Sequence, residues 1–297
     1  MIDFGKYKNI LVVSHDAGGA EVLSSFINHM GISCDYLIAG PALKIFRDKC
    51  KNVDSRICSS INLSYDLIFT STSWQSELEY ESLAFSKENN ISSISLIDHW
   101  CNYKERFTRN KKTILPDFIF VSDKNAFNLA SKTFPNSKIH QVENYFYLDL
   151  LDSFKNIKTE EDVILYVCEP LGELAKRNHG DERFWGYTEF DALDYFFSRL
   201  KQLGLPEGPI VIRQHPSEKL NKYTNYLKKY SSNDVKISHD RTLVEDISRS
   251  KIVVGCESMA LVIAVLAGKK VYSSIPPTGR ECQLPHSEII KIKDLVN

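Results

Sequence analysis

The sequence predicts an α/β fold made twice over: two parallel sheets, each covered by helices on both faces. Three observations predict it. Short apolar runs bounded by polar or turn residues recur along the chain, and segments of helical period lie between them. Such β-α-β alternation favours parallel sheets. A polar stretch at residues 152–162 carries no apolar period, and the alternation restarts after it. The halves are therefore expected at 1–155 and 156–297.

The first half opens with an apolar run at 9–13, the turn Ser14-His15-Asp16-Ala17-Gly18-Gly19-Ala20, and a helix over about 21–29. Further strands are expected at 35–38, 67–70, 92–97, 118–121 and 138–142. The clearest helical patterns between them cover 75–89 and 124–133. The second half restarts with a strand at 163–168 and a helix over 191–203. Strands at 209–212, 235–238, 251–254 and 270–272 follow, with helices over 219–230, 243–250 and 259–267 between them.

Composition excludes several classes. With 37 basic and 38 acidic residues the formal net charge is −1, so no global field attracts nucleic acid. No apolar run reaches the length of a membrane span, and residues 1–8 lack the apolar stretch of a secretory signal. A cytoplasmic protein is expected. Seven cysteines occur with no C-x-x-C pair, which speaks against zinc and redox motifs and for reduced thiols. The chain has no G-x-x-x-x-G-K-[ST], no G-x-G-x-x-G after a strand and no G-x-S-x-G. No D-x-D string stands at a strand end either. Neither cofactor nor metal is expected.

Two strings at strand ends carry the chemistry. Arg213-Gln214-His215-Pro216 follows the strand at 209–212, and Gly255-Cys256-Glu257-Ser258 follows the one at 251–254, ahead of an apolar helix. Ligands of open α/β sheets bind outside the carboxyl ends of the strands. A helix start presents N–H groups and a positive dipole end to an anion. An arginine, an imidazole, a serine and a helix start together suggest a phosphate or diphosphate site, with Arg213 and His215 on one face by strand alternation.

His215-Pro216 and Ser258, 43 positions apart, resemble the HP and Ser/Thr motifs of bacterial sialyltransferases and related GT-B glycosyltransferases that use CMP-activated sugars. The run 212–277 is also similar to capsule and lipopolysaccharide transferases for Kdo or other nonulosonic acids. The resemblance implies two facing Rossmann-like domains, acceptor-side at 1–155 and nucleotide-sugar-binding at 156–297. It implies that His215 and Ser258 contact the CMP phosphate, flanked by Pro216, Gly255 and Glu257. An acidic residue between them would hold the ribose, best matched by Asp240, with Glu245 and Asp246 less suited inside a helix. The sialyltransferases also carry a D/E-D/E-G string with the catalytic base; it is absent here.

The catalytic carboxylate must then be argued from position, and three candidates stand at strand ends. Asp98 opens Asp98-His99-Trp100-Cys101-Asn102-Tyr103, where Trp100 and Tyr103 are suited to stack on a sugar and His99 to share acid–base work. Asp16 lies beside His15 in the first turn, where Gly18 and Gly19 allow close backbone approach to a ligand. Glu169 ends the first strand of the second half. The structural alternatives are an N-cap for each aspartate and a tight helix entry for the glycines. Glu257 is better read as a helix cap than as a ligand contact. Lys104, Arg106, Arg109, Lys111 and Lys112 form a basic run, either a solvated face or a contact for an anionic acceptor. The polar-aromatic segment 178–189 reads as a lid or acceptor platform.

The leading reading is a metal-independent glycosyltransferase. It would move a nonulosonic acid or Kdo from its CMP-activated donor to a cell-surface glycan or glycolipid acceptor of lipopolysaccharide or capsule, peripherally associated with the inner face of the membrane. Inversion and retention both stay open. The alternatives are a CDP-polyol phosphotransferase, a UDP-GlcNAc 2-epimerase-like enzyme of the same two-domain plan, and a non-enzymatic nucleotide-sugar-binding scaffold.

Overall fold

A computed structural model describes residues 2–73, 76–155, 157, 163–205, 208–231 and 233–295. The chain divides into two compact units, Met1–Asp149 and Leu150–Asn297. Most of the polar stretch expected to part the halves lies outside the described residues, including residue 156 at the expected boundary.

The N-terminal unit holds strands β1 (Ile10–Ser14), β2 (Asp35–Ile38), β3 (Leu67–Thr70), β4 (Ser92–Ile97), β7 (Phe118–Val121) and β8 (Lys138–Gln141). They form one parallel sheet in the order β2-β1-β3-β4-β7-β8. A two-stranded antiparallel hairpin, β5 (Thr108–Arg109) with β6 (Lys112–Thr113), stands apart. Helices α1 (Ala17–Met30), α2 (Ala42–Lys49), α3 (Leu78–Glu88), α4 (Lys124–Thr133) and α5 (Tyr145–Phe154) connect or follow the strands. β1 and β3 are completely buried because their runs Ile-Leu-Val-Val-Ser and Leu-Ile-Phe-Thr offer side chains to both faces of the sheet. One face packs Phe4, Phe26, Phe69 and Phe120 ring on ring, with centroids 5.7–6.4 Å apart. The chain leaves β1 for β2 on one side and returns to β3 on the other, so the switch point of this sheet lies between β1 and β3.

The C-terminal unit contains β9 (Ile164–Val167), β10 (Ile210–Arg213), β11 (Val235–Ile237), β12 (Ile252–Gly255), β13 (Lys270–Ser273) and β14 (Ile289–Lys291). Its helices are α6 (Leu171–His179), α7 (Glu189–Arg199), α8 (Leu243–Arg249), α9 (Met259–Leu266) and α10 (Ile292–Leu295). The sheet is parallel throughout, in the order β11-β10-β9-β12-β13-β14, which is the strand order of a dinucleotide-binding Rossmann sheet. Its switch point falls between β9 and β12. Tyr166, Phe196, Ile212, Tyr223, Val254 and Tyr272 fill the core on one face.

Three expectations are corrected. The first helix starts at Ala17, not near residue 21, so Gly18 and Gly19 lie inside it. A Cβ on Gly19 would stand 2.8 Å from Cβ of Ser71, so the glycine lets the helix start press on the end of β3. The helix expected over 219–230 shrinks to a 3-10 turn at Tyr226–Tyr230, and Asn221 takes a left-handed conformation with φ 62°. The segment 178–189 is not loop throughout, although residues 180–184 are exposed. α6 runs through His179, Thr188 opens α7 with a capping box, and Tyr187 is fully buried. Among the described residues no helix is long and apolar enough to cross a membrane.

Candidate active site

At the carboxyl edge of the C-terminal sheet, three neighbouring strands deliver the expected residues. β9 leads to Glu169, β10 to His215, and β12 to Gly255 and Ser258. Gly255 is required by contact: a Cβ there would stand 2.7 Å from Cγ2 of Val167 and 3.0 Å from its carbonyl oxygen.

The amides after Gly255, expected to face a phosphate, already face a carboxylate. Oε1 of Glu169 accepts the N–H of Cys256 at 3.0 Å and of Glu257 at 2.8 Å. Glu169 is 9% exposed. Burial pushes its carboxyl up to about 7, with the neighbouring Glu257 charge adding to the rise, while the amides of Glu257, Cys256 and Ser258 oppose it.

Ser258 is the N-cap of α9, its hydroxyl oxygen accepting from the amide of Ala260 at 3.2 Å. Accepting that bond leaves the O–H able to donate to a ligand. Glu257 caps nothing, contrary to expectation. It pairs with Arg280, accepts the amide of Gln283 at 3.1 Å, and so pins the loop 276–283.

His215 donates its backbone N–H to Oε2 of Glu218 at 3.0 Å. Its Nδ1 accepts from the amide of Ser217 at 3.2 Å and lies 2.8 Å from that serine's hydroxyl. That acceptor role puts the proton of the neutral ring on Nε2. Partial desolvation holds the imidazole below the ordinary histidine range, while Glu218 pulls the other way. Pro216 follows on the surface.

Arg213 does not share its guanidinium with the histidine's face. It is bound at 2.7 Å to the buried Asp246 and donates to the carbonyl of Arg241 at 2.8 Å. Its guanidinium is thus engaged in a structural ion pair rather than turned to a phosphate site. Asp240 is exposed at the end of the β11 segment, while Glu245 closes a capping box with Thr242.

In the N-terminal unit, the edge at β1, β3 and β4 collects a second set. Asp98 caps no helix. Its Oδ1 lies 2.7 Å from Nη1 of Arg106, which also donates to the Thr72 hydroxyl at 2.7 Å. A Cβ on Gly18 would stand 2.6 Å from Oδ2 of Asp98, so this glycine makes room for the carboxylate. Asp16 occupies the N-cap position of α1 without capping it. Its oxygens meet Nδ1 of His15 at 2.8 Å and the Ser73 hydroxyl at 2.6 Å instead.

Trp100 and Tyr103 present no stacking face to a sugar. Both rings are buried. The indole N–H of Trp100 donates to Asp123 at 2.9 Å, and Tyr103 stacks on Phe134. Nδ1 of His99 accepts the amide of Trp100 at 2.9 Å. Two of the five residues of the basic run are structural. Arg106 is 6% exposed in its pair, and Arg109 binds Glu77 and the carbonyls of Ser73 and Ser76, leaving Lys104, Lys111 and Lys112 exposed.

One residue here was not anticipated. Glu79 of α3 is buried and accepts the backbone N–H of His15 at 2.7 Å and the Ser71 hydroxyl at 3.1 Å. Burial raises its carboxyl, and the charge of Asp16 raises it further. Among the described residues no group of three or more His, Cys, Asp or Glu side chains could hold a metal ion.

The fold is α/β of the GT-B-like kind, with two Rossmann-like six-stranded parallel sheets. No family model matches the chain, and no curated protein matches it in sequence. Solved structures do match. The UDP-GlcNAc 2-epimerase of Neisseria meningitidis, bound to UDP-GlcNAc, is 14% identical with a TM-score of 0.61, over 90% of this chain and 82% of that one. The UDP-GlcNAc 2-epimerase of Methanocaldococcus jannaschii is 12% identical at 0.57, over 90% and 83%. The UDP-N-acetylglucosamine 2-epimerase of Rickettsia bellii is 7% identical at 0.56, over 91% and 80%.

Proposed function

We propose that this chain is a nucleotide-sugar enzyme, and that of the readings open to the sequence it is the UDP-GlcNAc 2-epimerase-like one. The nucleotide diphosphate would lie at the carboxyl edge of β9, β10 and β12. Its donors would be the Nε2–H of His215, the hydroxyl of Ser258 and the positive end of α9. Charge grows on the phosphate whenever its bond to the anomeric carbon loosens, and donors fixed in advance stabilise that charge.

One observation carries the choice of chemistry: a buried carboxylate, Glu169, stands where β9 ends, against the amides of Cys256 and Glu257. Inverting carbon 2 requires one proton to leave that carbon and one to arrive on the opposite face. A group that can do either at neutral pH has a pKa near 7. Glu169, pushed up to about 7 at the switch point of the C-terminal sheet, is such a group. The correspondence with 2-epimerase structures over nine-tenths of the chain supports the same reading at the level of fold.

The CMP-sugar reading keeps the support of His215-Pro216 and Ser258 alone. On it, Asp98 or Asp16 would deprotonate the acceptor of a nonulosonic acid or Kdo. Incubation with UDP-GlcNAc in D2O, followed by proton NMR, separates the two. Deuterium at carbon 2 and the appearance of the manno epimer are expected. Absence of both, together with thermal stabilisation by CMP and none by UDP, would overturn the epimerase reading in favour of transfer.

A further inference from the structure

The residues after Pro216 build a charged network that neither turn needs for its own closure. Glu218 is buried and divides its two oxygens. Oε2 accepts the backbone N–H of His215 at 3.0 Å, and Oε1 accepts the hydroxyl of Tyr223 at 2.7 Å and the ammonium of Lys222 at 2.8 Å. The same ammonium donates to Oε1 of Glu173 at 3.0 Å and to Glu189. Glu189, also buried, receives the amide of Gly172 at 2.7 Å on its other oxygen. Gly172 stands in the first turn of α6, three positions after Glu169.

One lysine thus joins the turn after β10, which carries His215, to the turn after β9, which carries Glu169. Delivering it requires a local departure from propensity. The run 219–230 has a helical pattern, yet Asn221 turns left-handed and the helix does not form. A conflict between local preference and observed structure marks a place where the fold accepts a cost for another purpose. Three carboxylates around one ammonium also leave an excess of negative charge close to the sheet edge.

We propose that Glu218 and Lys222 are positioning residues that hold His215 at the end of β10 and tie it to the Glu169 turn. The inference deepens the nucleotide-sugar reading, because it gives the histidine a fixed place against the nucleotide phosphate. Among the described residues, Glu218 is the charged group whose field acts on the imidazole; Ser217 is its polar neighbour.

The test has two readouts in the full-length protein. The His215 imidazole is titrated by NMR, its resonance assigned by its loss in His215→Asn, and UDP affinity is measured by calorimetry. Glu218→Gln keeps an acceptor for the His215 amide and relieves excess charge, so it is expected to fold. In it the His215 pKa should drop, because the charge that raises it is gone, and UDP should bind more weakly, by at most about tenfold, the equivalent of one hydrogen bond to a charged group. Lys222→Met should weaken UDP similarly and Lys222→Arg should restore it. If Lys222→Met does not fold, Glu218→Gln alone decides. An unchanged titration with unchanged UDP affinity in folded Glu218→Gln overturns the proposal. A shifted titration in a protein that binds no UDP, wild type included, upholds the positioning role and removes the nucleotide reading.

Discussion

Glu169 is a carboxylate that its surroundings hold in two opposed ways. Amides at the start of α9 favour its charge, and burial beside Glu257 disfavours it more. Cys168, Cys256, Cys282, Tyr166 and Tyr187 also feel its field, and none of them is a cation. The sign of the linkage follows. The folded state binds the proton more tightly than the unfolded state, whose carboxyl titrates near 4.5. Stability from this group is therefore complete below about pH 4.5 and is lost as pH rises through about 7. Glu79, raised for the same reason, adds to the same trend. Glu169→Gln removes the larger part, since its amide oxygen can still accept the two N–H groups. Urea unfolding at pH 8 should find the variant more stable than wild type by roughly 2–3 kcal/mol. At pH 5 the two should be nearly equal. Parallel stability curves across this range would mean that Glu169 titrates like an ordinary carboxylate, and its place in the epimerase reading would go with it.

The α9 start shows how one side chain serves an element and a site together. Ser258→Ala removes the cap and should cost about 1 kcal/mol, whereas Ser258→Gly should cost only a few tenths. Both remove the hydroxyl donor, so UDP affinity should fall equally in the two. A thermal melt of each, paired with UDP calorimetry, checks this; equal affinity in wild type and Ser258→Gly would leave the serine a cap and nothing more. The element could be read from sequence because its signals are local. The same holds for β2, β3, β4, β7 and α4, whose apolar runs or clean helical period fixed their bounds without knowledge of neighbours. α2, α5 and α6 escaped notice. α5, Tyr-Phe-Tyr-Leu-Asp-Leu-Leu-Asp-Ser-Phe, is apolar along most of its length yet fully buries none of its side chains, and α6 is short, with Leu171, Leu174 and Ala175 as its whole apolar face. His215 and Ser258 were legible as strand-end residues. Glu79 was not: on a helix of mixed polarity it reads as solvated, and its partner His15 lies 64 positions away. Lys222 was hidden by a helical pattern that does not form in the structure.

At the scale of the whole molecule, each unit encloses its own apolar core and its own sulfur. Cys34 and Cys50 lie within the first core, and Cys168 and Cys256 are buried in the second unit. Burial pushes the Cys34 thiol up to about 12 and raises the thiols of Cys50, Cys168 and Cys256 as well. A thiol, unlike a thiolate, scarcely reacts with an alkylating reagent. These four sulfurs therefore react only when the surrounding unit opens. Under excess reagent the half-buried Cys58, Cys101 and Cys282 should be modified first, and mass spectrometry should then resolve two slower rates, one for each buried pair. A single slow rate shared by all four would mean that the units open as one. The reduced thiols expected from the sequence thus act as a pair of clocks, each timing the opening of its own half.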